Sequence, residues 1–125
     1  MKTSTCKAKG RRLQQEIVAE ILAYFPELSP RDVVSLPMGC SGKDIMLSEE
    51  AIKSVPFAIE AKCQESLNIW SALKQTEQDN RDKDLIPLLV FRRNNTERYC
   101  SLKFSDFMNM VKKLSEYKKL YGEPK

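Results

Sequence analysis

Glu60-Ala61-Lys62 closes the apolar run Phe57-Ala58-Ile59, and fifteen residues separate Glu60 from Asp44 in Gly42-Lys43-Asp44-Ile45-Met46-Leu47. Along an extended strand successive side chains alternate faces, so Glu60 and Lys62 project to one side while Phe57, Ile59 and Ala61 project to the other. If Asp44 comes alongside from a neighbouring strand, two carboxylates can grip a divalent ion while Lys62 steadies a water or a phosphate oxygen. That is equipment for hydrolysing a phosphodiester. Glu-x-Lys occurs three times, at Glu60, Glu116 and Glu123, and context sorts them. Glu116 lies in a lysine-rich stretch that reads as a solvated helix end, and Glu123 is among the last residues. Only Glu60 closes a strand with a buried look, although a surface salt bridge would equally account for Glu60 and Lys62 taken alone.

The elements that must position these groups follow from the rest of the pattern. Leu13, Ile17 and Ile21, with Val18, Leu22 and Phe25, predict an amphipathic helix from Gly10 to about Phe25, ended by Pro26. Ser29-Pro30-Arg31-Asp32 is a turn, and Val33-Leu36 a short strand stopped by Pro37. The small-residue loop Met38-Gly39-Cys40-Ser41-Gly42-Lys43 could let backbone amides approach a phosphate. A strand from Asp44 to Leu47 then leads through a short helical excursion into the strand Phe57-Lys62. Leu67 to about Asn80 predicts a helix, and Ile86-Pro87-Leu88-Leu89-Val90-Phe91 is apolar enough to lie centrally in a sheet. Asn94-Asn95 turns the chain into a strand at Arg98-Lys103, and a final helix starts near Ser105, a candidate cap, with Phe107, Met108 and Val111 on its apolar side. Strands two and three are expected to pair antiparallel, whereas the helical crossover between strands three and four implies parallel pairing.

A chain of 125 residues fits one α/β domain, 1–125, built on a mixed five-stranded central sheet flanked by helices. With 42% hydrophobic and 30% charged residues, wholesale disorder is not expected. No apolar run reaches membrane-spanning length and the first residues lack a secretion signal, so an intracellular, cytoplasmic location is expected. The four cysteines form no Cys-x-x-Cys pair and histidine is absent, which argues against zinc and removes Ser-His-Asp and Cys-His catalysis. Catalysis would therefore run on carboxylates, lysine and an oxygen-seeking metal such as Mg²⁺ or Mn²⁺. The net charge is +4, with Lys2, Lys7, Lys9, Arg11 and Arg12 all preceding the first acid, Glu16, and Lys112, Lys113, Lys118 and Lys119 crowding the other end. Such arms, expected to be flexible at 1–9 and 118–125, are attracted to phosphate backbones.

Together, the glutamate after a basic stretch (Lys9-Gly10-Arg11-Arg12, then Glu16), the loop Ser41-Gly42-Lys43 before Asp44, the strand Ile59-Glu60-Ala61-Lys62, and the later Pro87-Leu88-Leu89-Val90-Phe91 resemble the PD-(D/E)XK nuclease superfamily. The closer resemblance is to the archaeal-type Holliday junction resolvases, including those carried by phages. Lys43 stands where many members have proline. The resemblance implies a restriction-endonuclease-like fold in which Asp44, Glu60 and the Ala61 carbonyl bind the catalytic metal, Glu16 completes the acidic cluster, and Lys62 orients water or stabilises phosphate charge. It further implies that Ser41 touches the DNA backbone and that Gln75 assists from the following helix; Lys9, Arg11, Arg12 and Lys43 would add DNA contacts. Simpler readings stand beside these: Glu16 as a solvated helix residue, Trp70 as core or a subunit contact, and Ile17, Ile21 and Leu88-Val90 as core.

The resulting expectation is a Mg²⁺-dependent endonuclease resolving branched, four-way DNA, working as a homodimer because resolution takes two symmetric nicks. Ile69, Trp70 and Phe107 are candidates for its interface. The alternatives are a repair- or restriction-type nuclease acting on duplex, flap or single-stranded DNA, and a non-catalytic DNA-binding module.

Overall fold

The structure, a computed structural model, describes residues 3–37, 44–79 and 84–123. Helix α1 (Thr3–Tyr24) starts well before Gly10, because nothing in Lys7-Ala8-Lys9 breaks a helix and the buried Gly10 needs no side chain there. Strand β1 (Val33–Ser35) pairs antiparallel with β2 (Ile45–Leu47), Val33 opposite Leu47. Ser48 caps the short helix α2 (Glu49–Ser54): its hydroxyl accepts from the Ala51 N–H at 3.0 Å and donates to Asp32 Oδ1 at 2.7 Å. That bond from Ser48, with others from Ser29, holds the Asp32 carboxyl below its usual range and ties the end of the hairpin.

Strand β3 (Phe57–Cys63), helix α3 (Ile69–Asp79) and strand β4 (Ile86–Arg92) form a parallel crossover, as the intervening helix implied, with Glu60 opposite Leu89 and Lys62 opposite Phe91. A turn containing Asn95 at φ 59° leads into β5 (Tyr99–Ser101), which pairs antiparallel with β4. The strand order β3-β4-β5 makes β4 central, as its uniform hydrophobicity required. Helix α4 (Phe104–Tyr121) follows. It begins one residue before Ser105, with Lys103 at the cap position and no side-chain cap, so the expected role of Ser105 is not realised.

The expected single five-stranded sheet is instead two ladders, of two and three strands, and β2 pairs with β1 rather than β3. Asp44 accounts for the break. Its N–H donates to the Ile59 carbonyl at 3.2 Å, but the next edge donor, the Ala61 N–H, is taken at 2.7 Å by the Asp44 side chain. A carboxylate thus stands where a ladder carbonyl would continue the pairing.

The principal core lies between α1 and one face of β3, where Leu13, Ile17, Val33, Ile45, Leu47, Ile59 and Ala61 meet. Strand alternation sends Ala58, Glu60 and Lys62 to the opposite face, towards α3, whose Ala72 and Thr76 are buried. Leu89, fully buried on that face, is expected to cost about 2–5 kcal/mol on truncation to alanine. Denaturant unfolding should register that loss and change little for Val34→Ala, an exposed β1 position.

Candidate active site

Glu60 is only 4% exposed, and among the described residues its Oε1 has no hydrogen-bond partner. Burial first, and then the carboxylates of Asp44 and Asp79 beside it, push its pKa from the ordinary 4.5 up to about 9. A lone buried acid is costly, and packing it beside two more compounds the cost. A hard cation relieves both problems at once, since it supplies the unpaired oxygen with a partner and cancels the mutual repulsion.

The local backbone favours the same interpretation. A strand residue directs its N–H and C=O the same way, so the Ala61 N–H that bonds Asp44 brings the Ala61 carbonyl to that edge as well. Two carboxylates and a main-chain oxygen, all hard donors, suit Mg²⁺ or Mn²⁺. Among the described residues no three Asp, Glu, Cys or His side chains gather into a metal cage, so the carbonyl and water would complete any coordination.

The raised pKa sets a sign for stability without metal. Below pH 4.5 folded and unfolded chains both hold the Glu60 proton; from there to about 9 only the folded chain does. Stability from this group is therefore complete at low pH and is lost as pH rises towards 9, by up to about 1.4 kcal/mol per pH unit. The unfolding midpoint in chelator should fall steadily from pH 5 to pH 9, and Glu60→Gln should flatten the decline. A wild-type profile already flat over that range would remove the buried acid from the description.

Lys62, half-buried, shares the Glu60 face of β3 two residues on. Glu16 is not brought to this group. Helix α1 covers the other face of the sheet, and there Glu16 pairs with Arg92 at 2.7 Å and Arg98 at 3.1 Å, while Arg98 also bonds Glu20. Lys9 and Arg12 join Glu16, Cys63, Arg92, Asn94 and Asn95 around a polar cleft of about 460 Å³ at the carboxyl ends of β3 and β4. Arg11 is exposed elsewhere on α1. Gln75 is exposed on α3, one turn before Asp79 and on the same side of the helix. Ser41 and Lys43 lie outside the described residues. Trp70 is 84% exposed, which removes it from the core.

Asp79 is the site residue that sequence reasoning missed. Its signal was the four-residue spacing from Gln75, hidden in the polar tail Glu77-Gln78-Asp79. No helix among the described residues is long and apolar enough to cross a membrane.

A protein-family model described as "Phage putative PDDEXK endonuclease" matches residues 7–123. No curated protein and no solved structure matches the chain. The matched span takes in the Asp44 edge, the Glu60-Ala61-Lys62 strand and both helices that flank them, nearly the whole sequence. On that extent of match the protein belongs to this family of phage endonucleases, and with it to the PD-(D/E)XK superfamily.

Proposed function

We propose that the protein is a divalent-metal-dependent endodeoxyribonuclease that cuts four-way DNA junctions. The observation that carries the hydrolytic half is Glu60: a buried carboxyl beside Asp44, its Oε1 without a hydrogen-bond partner among the described residues, on the same strand face as Lys62. Asp44, Glu60 and the Ala61 carbonyl would hold Mg²⁺, or Mn²⁺ in its place. When bound, such a cation counters charge on the phosphate and makes water more acidic, the two needs of phosphodiester hydrolysis.

The chain's own groups supply the rest. The Asp44 hydrogen bond to the Ala61 N–H fixes the peptide that carries Glu60, so the two carboxylates keep their spacing as substrate arrives. The Lys62 ammonium orients the attacking water or neutralises a non-bridging oxygen. Gln75 and Asp79 border the site from α3, where they can position water. Lys9, Arg12 and Arg92 give the neighbouring cleft a cationic rim for the DNA backbone, and Arg11, Ser41 and Lys43 are further proposed contacts. Glu16 acts there by holding Arg92 and Arg98 in place.

The junction half rests on the resemblance to junction resolvases and calls for a two-fold dimer with one site per subunit. A synthetic four-way junction cut beside a matched linear duplex, in Mg²⁺ and then in chelator, tests it. Metal-dependent cleavage at least tenfold faster on the junction is expected. Equal rates would make this a general duplex nuclease, and binding with no cleavage of either would make it a DNA-binding module.

A further inference from the structure

Helix α4 carries an apolar face that no described element covers. Phe104, Phe107, Val111, Leu114, Tyr117 and Tyr121 recur at spacings of three and four, which gathers them on one side of an 18-residue helix. No residue of α4 is buried, and the helix packs closely against no other described element. These six, with Met108 and Leu120, each remain 39–75% exposed. The six on this face offer on the order of 600 Å² of surface, within the range that one partner contributes to a specific interface. A soluble monomer rarely leaves so large a patch uncovered.

We propose that α4 is a self-association surface, paired antiparallel with α4 of a second copy about a two-fold axis between Lys112 and Lys113. Antiparallel pairing sets Phe104 against Tyr121 and Val111 against Leu114, while Phe107 meets the aliphatic stem of Lys118. Charge favours the same occupant: the first turn is acidic at Asp106 and the last is basic at Lys119 and at Lys118, which also pairs with Glu123 of its own chain at 3.3 Å, so the acidic end of one helix lies at the basic end of the other. The opposed helix dipoles add to this. This surface supplies the dimer that the junction reading calls for, but it is argued from α4 alone and its test uses no DNA.

Sedimentation of the full chain at tens of micromolar should give twice the 14.4 kDa chain mass. Leu114→Glu, which puts charge at the centre of the face without disturbing a buried contact, should give a monomer with unchanged helical circular dichroism. Lys119→Glu should weaken association at least tenfold, and adding Asp106→Lys should restore it. A monomeric wild-type chain, whether α4 folds back on its own body or serves a different partner, would overturn the proposal, as would a dimer that survives Leu114→Glu. Failure of the charge swap to restore association would overturn the antiparallel arrangement.

Discussion

Glu60→Gln is expected to slow metal-dependent DNA cleavage about a thousandfold or more, a loss of about 4 kcal/mol of transition-state stabilisation, while leaving DNA affinity nearly unchanged. Without metal the native carboxyl, with its pKa pushed up to about 9, carries a proton at neutral pH. Glutamine reproduces the shape and hydrogen-bonding character of that neutral acid, so the fold should survive, and stability in chelator should match or exceed that of the wild type. What glutamine cannot do is shed a proton and present a second charged oxygen. Cleavage rates with saturating Mg²⁺, set beside filter binding of the same DNA, separate the two effects. A variant retaining more than a tenth of the wild-type rate would take Glu60 out of the reaction.

Asp44 should prove nearly as important to cleavage, and its substitutions should divide in an informative way. Asp44→Asn keeps an oxygen that can accept the Ala61 N–H, now bonded at 2.7 Å, but removes the charge. Cleavage should fall by two to three orders of magnitude, on the scale of losing one charged stabiliser. With the Asp44 charge gone, the pKa of Glu60 should move down, leaving burial as its main cause. Asp44→Ala removes the acceptor too and leaves the Ala61 N–H unpaired at the edge of β3, an added cost of about 1–3 kcal/mol in stability. Equal unfolding midpoints for the two variants would show that this hydrogen bond holds nothing in place.

Much of the scaffold was legible because local pattern and burial agree. The apolar run of β4 required a central place, and the crossover helix required β3 and β4 to run parallel. The two-residue alternation put Glu60 and Lys62 on one face. Other features depend on information no local pattern contains. A hydrophobic stripe says that α1 lies on a sheet but not on which face, and it lies opposite Glu60, so Glu16 went to Arg92 and Arg98 instead of the carboxylate pair. The sheet divides because one side chain, Asp44, takes a bond that pairing rules assign to backbone. Trp70 and the apolar side of α4 look like core by composition, yet among the described residues nothing covers them. Asp79 could be assigned only once α3 was seen to end beside Glu60.

In the proposed function Glu60 and Asp44 together hold one hard cation. Isothermal titration of the metal-free protein with Mn²⁺ at pH 7.5, repeated in buffers of different ionisation enthalpy, tests it most directly. One ion should bind per chain and release close to one proton, the one Glu60 gives up, and both signals should vanish in Glu60→Gln. Undiminished binding in that variant, or wild-type binding with no proton released, would contradict the site described.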